Sequence, residues 1–199
     1  MQCMGEEVIG AVLAGGASRR MGEPKALVEL AGRPLIAHAV TAVADAGLDP
    51  IVVAKPDSRI PDLGVPVLDE PQEPRHPLCG IVAALRYAET RPVVVIGCDM
   101  PLVPPALLGT LGRLADPVAV ANIDGELEPL LARYEPAVEP ALMASLRAGT
   151  ALREAIAALH PRLINEADLS AYGDPHRIAL NVNSPEDLEL ARSLVNANE

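Results

Sequence analysis

An apolar run, Val8-Ile9-Gly10-Ala11-Val12-Leu13, ends near two glycines, Gly15 and Gly16, followed by the cations Arg19, Arg20 and Lys25. Such a run bounded by glycine reads as a buried strand. A strand that empties into a glycine-rich loop presents bare backbone N–H groups, and these bind phosphate oxygens. Cations spaced along the loop answer the remaining charge of a polyphosphate. The stretch from Leu13 to Ala26 therefore predicts a nucleoside triphosphate held over the end of the first strand. It is not a P-loop, because no Gly-Lys pair occurs in it. Nor is it the dinucleotide fingerprint, because Ala17 stands where the second glycine belongs.

The rest of the chain alternates between strand-like and helix-like segments, the pattern of a parallel sheet covered by helices. Pro34 opens a helical stretch that Gly47 stops. Residues 51–54 and 65–68 read as strands, and a proline-rich loop, 69–77, follows. Residues 80–90 read as a helix. The most strand-like run, 92–97, ends in Cys98-Asp99-Met100-Pro101. A helix over 104–115 and a strand over 118–123 come next. Asp124-Gly125 signals a hairpin turn, with 130–134 as the returning strand. Helices are expected over 138–147 and 151–159, and strands over 162–165 and 178–180. Ser184, Pro185, Glu186 and Asp187 form the capped start of a last helix. The expected organisation is one domain over residues 1–199.

With half of its residues hydrophobic but no Phe or Trp, the chain must build its core from Ala, Val, Leu and Ile. That suits parallel strands buried on both faces. A net charge of −11 argues against nucleic acid or an anionic membrane as partner. It also sets apart the basic cluster at Arg19–Lys25. Cys3, Cys79 and Cys98 have neither disulfide nor zinc spacing. No signal-like segment or apolar run of about 20 residues occurs, so a cytoplasmic protein is expected.

In open α/β sheets ligands bind beyond the carboxyl ends of the strands. Asp99 follows the strongest strand, where a carboxylate can face the triphosphate and hold Mg²⁺ together with phosphate oxygens. Asp69 ends the third strand on the same edge; it is either an acceptor for a base or ribose or a turn-capping residue. Asn181 and Asn183 flank Val182, so an extended segment puts both on one face. His76 lies in the proline-rich loop without a partner that marks it as a base, and Cys79 and Cys98 read as small buried thiols.

Several of these residues together carry a resemblance. Leu13-Ala14-Gly15-Gly16, Arg20-Met21-Gly22 and Lys25, then Pro77-Leu78-Cys79-Gly80, Cys98-Asp99-Met100-Pro101 and Asn181-Val182-Asn183-Ser184-Pro185-Glu186-Asp187, resemble in order the motifs of the molybdenum cofactor guanylyltransferases. The resemblance implies a Rossmann-like, three-layer, glycosyltransferase-A-like nucleotidyltransferase fold with a mostly parallel central sheet. It implies GTP and molybdopterin as substrates and Mg²⁺ on Asp99. It implies nucleotide contacts from Leu13, Ala14, Gly15, Gly16, Lys25, Asp69, Asn181 and Asn183, and catalytic roles for Arg19, Arg20, Lys25 and Asp99. A monomer is expected, in transient contact with molybdenum-insertion or acceptor enzymes. Guanylyl-transferring relatives read Leu-Ala-Gly-Gly where cytidylyl-transferring ones read Leu-Ala-Ala-Gly. The missing methyl at Gly15 is then expected to leave room for a purine. Departures are His76 in place of Gly, Ala54 in place of a base-contacting Asn, and Pro24 in place of Asp. Two alternatives stand beside this reading: a transferase of cytidylyl groups or onto another small phosphate, and a non-catalytic GTP-binding delivery module.

Overall fold

The structure, a computed structural model, describes residues 8–15 and 24–196. The expectations for Gly16, Arg19 and Arg20 lie outside them. In chain order the elements are β1 (Ile9–Leu13), β2 (Glu29–Leu30), β3 (Arg33–Pro34), α1 (Leu35–Asp45), β4 (Asp49–Ala54), β5 (Val67–Asp69), α2 (Leu78–Ala88), β6 (Val93–Gly97), α3 (Pro105–Arg113), β7 (Val118–Ile123), β8 (Glu126–Tyr134), α4 (Glu139–Ala148), α5 (Leu152–Ala157), β9 (Arg162–Ile164), α6 (Glu166–Leu169), α7 (Pro175–Ile178) and α8 (Pro185–Asn196).

Seven strands form one sheet in the order β5-β4-β1-β6-β8-β7-β9. Every pairing is parallel except those that β8 makes with β6 and β7. The antiparallel exception follows from the turn. Asp124 and Gly125 both have positive φ, 54° and 77°. That matches a two-residue hairpin, so β8 runs back against β7 instead of crossing over.

The period-2 alternation of the strands divides the core in two. Val12, Val94 and Ile96 face α1 and α3, while Ala11, Leu13, Val93 and Val95 face α2, α4 and α5. On α2, Leu78, Ile81, Val82 and Leu85 follow the i, i+3, i+4, i+7 rhythm and are buried. Each such side chain contributes roughly 1.5–3 kcal/mol on leaving water. The expected helix/sheet/helix layering and mostly parallel sheet are therefore found. A third, smaller cluster joins Val28, Leu30 and Leu35 to Val182 and Ala191, which docks α8 beside the β2–β3 hairpin.

One expectation fails outright: residues 178–180 are not a strand. Asp174 accepts a hydrogen bond from His176 N at 2.9 Å, and Pro175 sits in the first helical turn, so the chain forms α7 and carries only Ile178 into the core. The Asp-Pro start signal outweighs the apolar composition of Ile178-Ala179-Leu180. Among the described residues no helix is long and apolar enough to cross a membrane.

Candidate active site

The carboxyl ends of β1, β4, β5 and β6 lie side by side, because β1 is flanked in parallel by β4 and β6, and β4 by β5. Cys98 N donates to Leu13 O at 3.0 Å, which folds the chain after β6 onto the end of β1. Asp99 follows directly. Lys25, in a single 3₁₀ turn, Lys25–Leu27, donates from Nζ to Asp99 Oδ2 at 2.8 Å and also to Asn183 Oδ1. Residues far apart in sequence thus form one knot.

Asn183 is brought there by backbone. Val182 N donates to Asp99 O at 2.8 Å while the Val182 side chain is fully buried. The start of α8 fixes the next residues: Asp187 Oδ2 accepts from Asn183 N and Ser184 N, both at 2.9 Å, and Ser184 Oγ accepts from Asp187 N at 3.2 Å. The backbone donors, first of all that of Asn183, hold the Asp187 carboxyl below the usual range. Asn181 and Asn183 flank buried Val182 as alternation requires, but only Asn183 reaches Lys25. Asn181 Nδ2 donates to Ala179 O at 3.1 Å.

Beside this knot opens a cavity of about 600 Å³, a size ordinary for small-molecule sites. Leu13, Ala14, Gly15, Lys25 and Asp99 line it, as expected. Lys55, Arg59 and Arg75 line it too, together with the carboxylates of Asp57 and Glu70.

Asp69 does not line the cavity; Glu70 does. Asp69 is exposed at the end of β5, opposite Ala54. Successive side chains of an extended segment point to opposite sides, so the next residue turns inward. Glu70 N donates to Ala54 O at 2.8 Å, and its side chain is buried. Its Oε1 lies 3.2 Å from Lys55 Nζ. Burial pushes the Glu70 carboxyl up, and the Lys55 ammonium opposes that shift.

The space beside Gly15 is also not empty. A Cβ there would meet Glu70 Oε1 at 2.2 Å, and a Cβ on Gly80 would meet Oε2 at 2.9 Å. Two glycines make room for one carboxylate. The room expected for a purine is taken by the acid. Sequence reasoning missed Glu70 and Lys55. The signals were an inward-facing Glu one residue past a strand, and a lysine one residue past the neighbouring strand.

His76 lines the cavity with its Nδ1 accepting from Leu78 N at 3.1 Å. The ring is thereby tied to the start of α2. Cys79 and Cys98 are buried and unpaired. Burial first, then the charge of Glu70 or Asp99 respectively, pushes their thiols up, which makes them inert. Among the described residues no group of three or more His, Cys, Asp or Glu is placed to hold a metal. A cation at Asp99 would need oxygens from elsewhere, as Mg²⁺ takes them from phosphates.

Residues 10–163 match the family model described as MobA-like NTP transferase domain. A molybdenum cofactor guanylyltransferase of Cereibacter sphaeroides is 34% identical over 194 residues, covering 94% of this chain and 97% of the relative. A probable molybdenum cofactor guanylyltransferase of Carboxydothermus hydrogenoformans is 32% identical over 185 residues, covering 90% and 92%. Among solved structures, molybdopterin-guanine dinucleotide biosynthesis protein A of Archaeoglobus fulgidus superposes with a TM-score of 0.79 at 25% identity, covering 94% of this chain and 98% of that one. The 2-C-methyl-D-erythritol 4-phosphate cytidylyltransferase of Thermus thermophilus shares the fold, with a TM-score of 0.70 at 19% identity, covering 96% and 99%. With residues 10–163 matched by the family model and a relative 34% identical over nearly its whole length, the chain belongs to the MobA-like NTP transferase family.

Proposed function

We propose that the protein transfers GMP from GTP to the terminal phosphate of molybdopterin, giving molybdopterin guanine dinucleotide and pyrophosphate. The observation that carries this is the Lys25–Asp99–Asn183 knot, whose Lys25 and Asp99 line the cavity, in a chain whose relatives bear that name. The knot also supports Mg²⁺ as the metal. The ammonium of Lys25 already sits between two hard oxygen donors, Asp99 Oδ2 and Asn183 Oδ1, so the pocket accepts a cation at this point. Asp99 and Asn183 would hold Mg²⁺, with phosphate oxygens completing its shell. The chemistry it supplies when bound is neutralisation of charge on the reacting phosphate.

Lys25 then turns from Asp99 to the triphosphate, as one cation replaces another beside the carboxylate. Ala14 N already donates to Val53 O, so the backbone N–H groups of Gly15 and Gly16 hold phosphate oxygens, and Arg19 and Arg20 neutralise the leaving pyrophosphate. The acceptor phosphate is an anion near neutral pH and attacks the α-phosphorus in line. It needs no strong general base, and no His in the cavity is arranged as one. Catalysis is positioning plus charge neutralisation.

Guanine offers two adjacent donors, N1–H and the 2-amino group. The Glu70 carboxylate, rather than Asp69, is their acceptor. The protein works in the cytoplasm on two small molecules, with any contact to molybdenum-insertion or acceptor enzymes transient. The unpaired thiols of Cys79 and Cys98 support a reducing compartment. The test is incubation with Mg²⁺, molybdopterin and GTP, CTP and ATP in competition, with products identified by mass. A guanine dinucleotide and pyrophosphate are expected, with GTP preferred by at least ~100-fold in kcat/KM. A cytosine dinucleotide formed as readily would move the protein to cytidylyl transfer. GTP binding without pyrophosphate release would make it a delivery module.

A further inference from the structure

Lys55 stands one residue past the end of β4. Its side chain is one-tenth exposed and Nζ has three acceptors: Glu70 Oε1 at 3.2 Å, Pro71 O at 2.7 Å and Gln72 O at 3.3 Å. An ammonium has three donors. All are engaged by consecutive residues at the start of the proline-rich loop, so none is left to bind a phosphate. Lys55 lines the nucleotide cavity but is not built to touch the nucleotide.

Glu70 is held from every side. β4 contributes Lys55. The end of β1 contributes Gly15 and the first turn of α2 contributes Gly80, each fitting closely against the carboxylate without bringing a charge. The positive end of the α2 dipole favours an ionised acid there. Cys79, also on α2, is a neutral thiol that donates to Pro74 O at 3.2 Å. Arg75 and His76 line the same cavity from the loop. Among the described residues Lys55 is the one cation paired with Glu70. The resemblance leads to an Asn at position 54. Here Ala54 gives only its carbonyl, to Glu70 N, and Lys55 brings the polar group instead.

We propose that Lys55 is a specificity-determining positioning residue: by pairing with Glu70 and pinning residues 70–72, it fixes the carboxylate as the double acceptor that selects guanine. This rests on the reading that Glu70 meets the base. The chemical reason is that an ionised carboxylate only accepts, matching the donor pair of guanine. A protonated one carries an O–H donor and clashes with that pair. A carboxylate buried without its cation takes up a proton rather than remain charged.

The test uses the full chain and binding of GTP and CTP by calorimetry from about pH 6.5 to about pH 8.5, a window below the pKa of lysine. The ratio of the two affinities at each pH cancels titration of the triphosphate itself. The native protein should keep a constant preference for GTP. In Lys55→Met the preference should fall by at least ~10-fold at pH 7 and recover as pH rises and Glu70 loses its proton. Lys55→Gln keeps donors for the loop carbonyls but not the charge. It should show the same pH-dependent loss, and it carries the test if the Met variant does not fold. A preference unchanged in both variants overturns the proposal, as does a loss that is the same at every pH, which would make Lys55 a loop support only. A native protein with no preference for GTP would instead overturn the reading of Glu70, whatever the variants do.

Discussion

Two lysine–carboxylate pairs line the cavity, and the two are built differently. Lys25–Asp99 and Lys55–Glu70 are similarly close, 2.8 and 3.2 Å, and similarly buried. Lys25 is held by two side chains, Asp99 and Asn183. Lys55 is held by one side chain and two backbone carbonyls of a loop. A lysine bound only by side chains can exchange partners when a triphosphate arrives, because nothing in the backbone has to move. A lysine tied to carbonyls leaves loop acceptors unpaired when it departs. Under the proposed function the first pair would exchange charge during the reaction and the second would be a fixed template.

The largest expected effect sharpens the exchangeable pair. Asp99→Asn keeps shape and weakens the carboxylate as a metal ligand. Turnover should fall by at least ~100-fold in a pyrophosphate-release assay at saturating Mg²⁺, with thermal stability little changed. Chelation with EDTA should abolish turnover in the parent. A near-normal rate for Asp99→Asn would break the comparison at its first term.

The fixed pair should fail differently, in selectivity rather than rate. Gly15→Ala places a methyl where Glu70 Oε1 stands, 2.2 Å from the new Cβ. The carboxylate must shift, so GTP over CTP should drop by roughly 30-fold in kcat/KM. Glu70→Gln should lose the preference to a similar extent, since an amide presents one acceptor and one donor to a pair of donors. Competition between the two nucleotides reads both. A preference intact in Glu70→Gln would remove Glu70 from base recognition.

Lys25→Ala should weaken GTP binding by about 10-fold while leaving guanosine binding within ~2-fold, because the lost partner is phosphate. Calorimetry with both ligands decides it. Equal losses would mean that Lys25 only supports Asp99, and that neither pair exchanges partners.

The smallest effect concerns the support behind Asn183. Asp187→Ala removes the acceptor of Asn183 N and Ser184 N. Thermal unfolding should show a loss of about 1 kcal/mol, the usual cost of a helix cap. With the native Asp187 the same contribution should fade as pH falls. The folded carboxyl lies below its ordinary value, so its stabilisation is present above that value and is lost as acid titrates the folded form. An unfolding temperature unmoved by the substitution would place the support of Asn183 in the Val182–Asp99 backbone bond alone.

How much of this was legible beforehand depends on the range of the forces involved. Strands β1 and β6, helix α2 and the capped start of α8 were readable, because apolar periodicity and capping signals act within a few residues. The glycine loop and Asp99 were readable from their place after strands. Residues 178–180 were misread although the Asp174-Pro175 start was there to be weighed. The choice of Glu70 over Asp69 was not readable, since neighbours in an extended chain differ only in the side they face. That side was set by the pairing of Asp69 with Ala54.

The sequence by itself therefore determined the α/β alternation and the family, because each is written in short stretches of residue types. Only the tertiary structure decided which charges meet. Lys25 finds Asp99 and Asn183 across 74 and 158 positions, and Lys55 finds Glu70 because β4 and β5 pair in one register and not the next. A one-residue slip there would turn Asp69 inward and Glu70 out to solvent.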